Sequence, residues 1–111
     1  MARKAANFKV VWAEAAETDL QEIFDYLVDT SPSGALSAVE RVERAAAALK
    51  RMPERGRHVP ELAGSDIHTH RELISLPWRI IYRISGSTVE VIAVLDGRRN
   101  LRKLLFERLL K

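Results

Sequence analysis

Arginines are the residues of this chain best suited to chemistry, and four of them lie within or directly after two neighbouring β-prone runs. Arg79 and Arg83 lie in the alternating run WRIIYRI, and Arg98 and Arg99 follow the next apolar run. A planar guanidinium stays charged and binds phosphate oxygens bidentately, so it can neutralise charge that develops on a phosphate. We predict that these four arginines share one end or face of a sheet, and that function lies there. The alternative is that the candidate arginines are surface residues that pair with Glu72 or Glu90 across strands.

Cleavage of a phosphodiester without a metal also needs a base and an acid that transfer protons. Arg71 is a further candidate cation, and His70 beside it is a possible acid/base, because histidine titrates near neutral pH. Histidines at the start of a strand are more often ordinary surface residues, which is the alternative for His70. His68 and His70 lack a third ligand, and the chain has no cysteine. We therefore expect neither a metal site nor another cofactor.

The elements that must position these residues follow from hydrophobic periodicity. The patterns predict strands at 8–12, 67–76, 78–84 and 88–95 and helices at 13–29, 34–52 and 101–110. The order β-α-α-β-β-β-α predicts an α+β fold in which a helical hairpin packs on a small antiparallel sheet. Residues 53–66 are predicted to form a loop, because prolines, glycines and mixed charges interrupt them.

Alternation within the strands and helices predicts which side chains are buried. Trp78, Ile80, Tyr82 and Ile84 should face the helical hairpin. The run 88–95 is apolar on both sides, so it should lie inside the sheet, with Val89, Val91, Ala93 and Leu95 on one face. The predicted stripe of the second helix is Leu36, Val39, Val42, Ala46 and Leu49.

Length and charge limit the class of protein. The 111 residues suit a single domain spanning 1–111, and no apolar run reaches the ~18 residues of a membrane span. We expect a cytoplasmic protein without a signal peptide and without a membrane partner. Residues 13–29 contain six acids and no base, whereas residues 98–111 contain six bases and one acid. This asymmetry predicts a basic functional surface opposite an acidic one, although solvated helix faces of opposite sign give the same pattern.

The last predicted helix combines this basic charge with excess apolar surface. Leu101, Leu104, Leu105 and Leu109 form one stripe, and Phe106 and Leu110 lie outside it. The basic residues that surround this surface are Arg98, Arg99, Arg102 and Lys103. An apolar patch ringed by bases is suited to an acidic, amphipathic partner segment that is disordered until it binds. A frayed tail or a homodimer contact is the alternative.

The order of these motifs resembles the RelE/ParE superfamily of bacterial type II toxins. The pattern REL…WRIIYRI…VEVIAVLDGRRN resembles the sheet of that family, AETDLQEIFDY at 16–26 resembles its first helix, and residues 52–57 resemble its inter-element loop. The resemblance covers residues 8–105. It implies a toxin of a plasmid-stabilisation type that a cognate antitoxin neutralises in a toxin–antitoxin hetero-oligomer.

The resemblance leaves two targets open. In the ribonuclease branch, Arg71, Arg79 and Arg99 match catalytic cations, but Leu73 and Leu105 stand where a lysine and a tyrosine transfer protons. The ParE branch acts by protein contact, and resemblance to it implies DNA gyrase as target. We therefore expect a ParE-like toxin rather than an enzyme. The alternatives are a metal-independent endonuclease that cleaves mRNA on the ribosome, and a binding module that has lost toxicity.

Overall fold

The computed structural model describes residues 7–109. In chain order the elements are β1 (Lys9–Trp12), α1 (Glu14–Val28), α2 (Pro32–Ala47), β2 (Arg57–His58), β3 (His70–Ser75), β4 (Trp78–Ser85), β5 (Thr88–Asp96) and α3 (Leu101–Leu109). The predicted α+β class is confirmed. The segment predicted as a loop between α2 and β3 contains the two-residue strand β2 and a 3₁₀ turn at Pro60–Leu62.

The sheet has five strands in the order β1-β5-β4-β3-β2. β2, β3, β4 and β5 pair antiparallel, whereas β1 runs parallel to β5. The sheet is therefore mixed. Parallel pairing is possible here because both helices and three strands separate β1 from β5 in the chain, and parallel strands need such a long connection. The predicted interior position of β5 is confirmed.

Two helices begin directly after polar residues whose side chains cap them. The Ser31 side chain accepts a hydrogen bond from the Gly34 N–H at 3.0 Å, and Pro32 is the first residue of α2. Asn100 Oδ1 accepts from the Lys103 N–H at 3.3 Å at the start of α3. These contacts satisfy N–H groups that lack partners within the helix. None of the helices in residues 7–109 is long and apolar enough to cross a membrane.

The helical hairpin covers one face of the sheet, as predicted. Trp78 and Ile80 of β4 pack there with Ile23 of α1 and Val42 and Ala46 of α2. The predicted stripe of α2 is wrong at one position, because Leu36 is exposed. The buried side chains near it are Ala35 and Ala38.

A β-bulge in β5 shifts the alternation of its side chains between the two faces of the sheet. Ile81 pairs with Ala93, but the next residue, Tyr82, pairs with Val91, so Ile92 is an extra residue. After the bulge, Ala93 and Leu95 lie on the face opposite Val91, where they pack with α3. The expectation of one unbroken face from Val89 to Leu95 is therefore wrong. Because this run is apolar on both sides, its sequence contains no mark of the slip.

Candidate functional site

Arg79 lies on the α3 face of β4, and acidic side chains surround its guanidinium. Its Nε donates to Glu72 Oε1 at 2.6 Å, and its two Nη groups donate to the Glu61 carboxylate at 2.7 and 2.6 Å. The hydrogen bond to Glu61 raises the pKa of Arg79 above its ordinary value. Only 11% of the Arg79 side chain is exposed. Arg79 therefore holds neighbouring elements together and does not present a free cation.

Glu72 extends this cluster across the sheet. Its side chain is fully buried, and its second carboxylate oxygen accepts from Arg57 Nε of β2 at 2.6 Å. Arg57, Glu72, Arg79 and Glu61 thus form an alternating chain of charges, which we call the four-charge network. Its two cations and two anions balance, so it offers little net attraction to a phosphate. Removing one member of a buried ion pair destabilises the fold strongly, because the other charge stays buried without that partner.

Arg71 lies on the opposite face of the sheet, with Tyr82 as its partner on β4. Its Nη1 donates to the Gly56 carbonyl at 2.7 Å. The Tyr82 hydroxyl donates to the Pro53 carbonyl at 2.7 Å and accepts from the Gly56 N–H at 2.9 Å. The predicted core position of Tyr82 is confirmed, since the residue is fully buried. Arg71 and Tyr82 together hold the loop after α2.

Gly56 is required where this loop meets the sheet. A Cβ at this position would lie 2.5 Å from the Glu72 carbonyl and 2.7 Å from the Tyr82 hydroxyl. Any side chain would therefore push the loop away from the sheet.

His70 is remote from Arg79. It pairs with Arg83 in the register of β3 and β4, whereas Arg79 pairs with Ile74. Four residues along a strand correspond to about 13 Å. At this distance His70 cannot transfer a proton at a phosphate that Arg79 binds. Burial, and secondarily the charge of Arg83, lower the pKa of His70. Arg83 itself pairs with Glu90 at 3.0 Å on the surface.

Arg98 and Arg99 follow β5 but have different surroundings. Arg98 donates to both carboxylate oxygens of Asp96, at 2.9 and 2.8 Å, and this bonding lowers the pKa of Asp96 to about 2. Asp96 also accepts from the Arg98 N–H, as expected of a turn cap. Arg99 is exposed and has no ion pair within residues 7–109. It lines a cavity of about 400 Å³ together with Trp78, and Arg79 does not contribute to that lining.

Asp19 and Arg108 form a contact that the sequence analysis missed. Arg108 of α3 donates to both carboxylate oxygens of Asp19 on α1, at 3.0 and 2.9 Å. Asp19 also accepts from the Val94 N–H at 2.9 Å, beyond the point where β1 ends. One signal was present in the sequence: Asp19 lies between Ala16 and Ile23 on the buried side of α1, where an unpaired acid is rare.

The basic surface of α3 has less exposed apolar area than expected. Phe106 is half-buried against the cluster that includes Leu101 and Leu105, and the Arg102 guanidinium lies 5.5 Å from the centre of its ring. Phe106, which is outside the predicted leucine stripe of α3, is therefore only partly exposed. Leu110 lies outside the described residues. Arg102 and Lys103 are exposed, so the basic charge is available to a partner.

The family comparison matches most of the chain. The model of a family described as "ParE toxin of type II toxin-antitoxin system, parDE" matches residues 10–101. The chain belongs to the ParE toxin family. This confirms the predicted membership of the RelE/ParE superfamily.

Curated relatives within this superfamily have two different names. Toxin RelE2 of Caulobacter vibrioides is 35% identical over 92 residues, covering 82% of this chain and 97% of the relative. Toxin ParE3 of the same organism is 28% identical over 95 residues, covering 84% of this chain and 90% of the relative. Both matches support a type II toxin, but the two names do not choose between the RelE and ParE branches.

Solved structures share the fold of this ParE family member. A chain of the "Chromosomal ParDE TA system from P. aeruginosa" superposes with a TM-score of 0.68 at 22% identity, covering 81% of this chain and 96% of that chain. A chain of the toxin–antitoxin complex RelBE2 from Mycobacterium tuberculosis gives a TM-score of 0.58 at 21% identity, covering 86% and 97%. At these identities the likeness concerns the fold.

The three arginines that match catalytic cations of the ribonuclease branch do not lie together in this chain. Arg71 lies on one face of the sheet, Arg79 is paired on the other, and Arg99 lines a separate cavity. Leu105 is fully buried in the core beneath α3. Of the predicted site residues, those that are exposed are Arg83, Arg98, Arg99, Arg102 and Lys103.

Proposed function

We propose that this chain is a type II toxin that arrests growth by binding a protein target, DNA gyrase, and that a cognate antitoxin neutralises it. The observation that carries the proposal is the pairing of Arg79 with Glu61 and Glu72. Arg79 could bind a phosphate only by breaking its bonds to these two carboxylates, and the buried Glu72 would then keep only its bond to Arg57.

The proton-transfer groups of a ribonuclease are also lacking at the expected positions. Leucine stands at 73 and 105, and His70 is about 13 Å along the sheet from the position of Arg79. Loss of a general acid or base typically costs ~10²–10⁴ in rate. A toxin that acts through protein contact needs neither group.

The antitoxin is proposed to cover the basic side of α3. Arg98, Arg99, Arg102 and Lys103 are exposed there, and Phe106 adds a half-buried ring. An acidic segment that folds on binding would gain both charge complementarity and apolar contact. The solved complexes of the two structural neighbours contain toxins with their antitoxins, which supports such a partner.

An mRNA endonuclease remains the second candidate, because Toxin RelE2 is a relative and Arg99 is exposed without an ion pair in residues 7–109. Mapping of mRNA 5′ ends in induced cells separates the two. We expect no new codon-dependent ends after induction. New ends in translated mRNA that disappear in Arg99→Ala would establish the endonuclease. Arg99→Ala is the suitable variant, because this side chain lies outside the four-charge network.

A further inference from the structure

The two most exposed large apolar side chains in the described part of the chain lie at the same end of the molecule. Leu76, in the turn between β3 and β4, is 79% exposed, and Tyr26, near the end of α1, is 75% exposed. Tyr26 lines a cavity with Trp78, the residue at which β4 begins directly after that turn. The turn also contacts the segment after β5, because the Gly97 N–H donates to the Pro77 carbonyl at 2.8 Å. Single exposed apolar side chains are ordinary, but two at the end that holds a cavity indicate a binding surface.

The cavity can receive a side chain of a partner. It has a volume of about 400 Å³ and lies between α1, β4, β5 and α3. Among the buried side-chain N and O atoms of residues 7–109, Trp78 Nε1 alone has no hydrogen-bond partner. A buried donor of this kind gains a hydrogen bond when an acceptor reaches it. Because Nε1 is shielded from solvent, an acceptor reaches it only when an exposed side chain of the lining, such as Tyr26, moves aside.

The charges at the cavity are of both signs. Two carboxylates of the lining are already bonded to arginines of this chain, namely Asp19 and Asp96. Arg99 and Glu22 also line the cavity, and both are exposed without an ion pair in residues 7–109. A complementary partner therefore carries an acid for Arg99 and a base for Glu22.

This mixture of charges distinguishes the cavity from the basic side of α3. The acidic segment proposed to cover α3 would be repelled here by Glu22, whereas a protein surface with one charge of each sign would not. Tyrosine, tryptophan and arginine are the residue types enriched at the centres of protein interfaces, and Tyr26, Trp78 and Arg99 supply all three. The surface is therefore better suited to a folded protein than to a uniformly acidic segment.

We propose that this chain contacts its target protein through the tip surface, which we define as Tyr26, Leu76, Glu22, Arg99 and the cavity. This inference rests on the proposed function, in which the target is DNA gyrase. An apolar side chain of the target enters the cavity, and an acid and a base beside it meet Arg99 and Glu22. Arg99 also belongs to the basic surface assigned to the antitoxin, so an antitoxin bound there excludes the target.

Inhibition of supercoiling by purified DNA gyrase tests the apolar part of the tip surface. Tyr26→Ala with Leu76→Ala should raise the concentration of chain needed for half-inhibition by about tenfold or more, because a few central residues carry most of the affinity of an interface. The matched control is Met52→Ala, whose side chain is 61% exposed in the loop after α2 and lies outside the cavity lining. The control should change that concentration less than about threefold. The double variant should keep the melting temperature and the antitoxin affinity of the wild type.

A charge reversal tests the polar part of the tip surface. Arg99→Glu should also weaken inhibition by about tenfold or more, because it places an acid opposite the acid of the target. Arg55→Glu is the control, since Arg55 is an exposed base in the loop after α2, outside the cavity lining. Inhibition by this control should equal that of the wild type. If the apolar double variant melts at a lower temperature, the comparison of Arg99→Glu with Arg55→Glu decides, because both change exposed side chains.

The outcomes separate this inference from the proposed function. If the wild type inhibits gyrase and the tip variants inhibit equally well, the tip surface is not the contact, and gyrase remains the target. If folded wild type that binds its antitoxin does not inhibit gyrase, both proposals fail. Loss of antitoxin affinity in the double variant at an unchanged melting temperature would assign the surface to the antitoxin. A change from dimer to monomer in sedimentation velocity would assign it to a second copy, and either result overturns the inference.

Discussion

Arg79 on β4 donates its Nε–H to Glu72 Oε1 on β3 over 2.6 Å, and Glu72 is 1% exposed. The two residues therefore depend on each other: the arginine neutralises a carboxylate that solvent cannot reach. A free phosphate would have to compete with this carboxylate and with Glu61 for the same guanidinium.

Replacing Arg79 by alanine should destabilise the fold by about 3–5 kcal/mol, because Glu72 would keep only its bond to Arg57. The control is Arg83→Ala, which breaks the surface pair with Glu90 and should cost about 0–1 kcal/mol. Urea denaturation of both variants measures the difference. Equal stabilities of the two variants would show that the four-charge network stabilises the fold no more than the surface pair of Arg83 and Glu90.

Glu61 should make stability depend on pH. Its hydrogen bonds from Arg79 lower its pKa below the ordinary 4.5, so the folded state favours the carboxylate. This contribution is fully present above pH 4.5 and is lost as the pH falls through the lowered pKa. Melting temperatures of the wild type and Glu61→Gln, measured from pH 7 to pH 3, should converge at the acid end. A constant difference between them would contradict this role of Glu61.

Asp19→Ala should loosen α3 as well as reduce stability. The change removes the bidentate partner of Arg108 and the acceptor of the Val94 N–H, so we expect a loss of roughly 3 kcal/mol and faster hydrogen exchange in α3. Asp25→Ala on the exposed side of α1 is the control and should have little effect. If exchange in α3 is unchanged, other contacts hold that helix.

The basic side of α3 should determine how fast the antitoxin binds. Arg102→Glu should slow association, and the loss should shrink as salt rises. Phe106→Ala with Leu110→Ala should weaken binding while the fold remains intact, although half-burial of Phe106 predicts some loss of stability too. Stopped-flow association at two ionic strengths and calorimetry measure these effects. Affinity equal to that of the wild type would remove α3 from the interface.

Local patterns predicted the elements of the fold well. The hairpin over Trp78 and Ile80 and the interior position of β5 both follow from short-range signals. The β5 bulge and the parallel pairing of β1 do not, because both depend on which strands meet in three dimensions.

The candidate site was harder to predict, because side-chain partners distant in sequence decide it. Arg79 alone suggests phosphate binding, and only its contacts with Glu61, 18 residues earlier, and with Glu72 change that interpretation. The Asp19–Arg108 pair spans 89 residues. Charge asymmetry indicated an acidic α1 and a basic α3, but no periodicity specifies that Asp19 and Arg108 pair the two helices directly.

Supercoiling of relaxed plasmid by purified DNA gyrase tests the proposed target most directly. We predict that the chain inhibits supercoiling in proportion to its concentration, and that addition of the cognate antitoxin restores it. Arg79→Ala is not informative in this assay, because the change destabilises the fold. Arg99→Ala is used instead, because Arg99 lies outside the four-charge network. Full supercoiling in the presence of excess folded chain that still binds its antitoxin would contradict gyrase as the target.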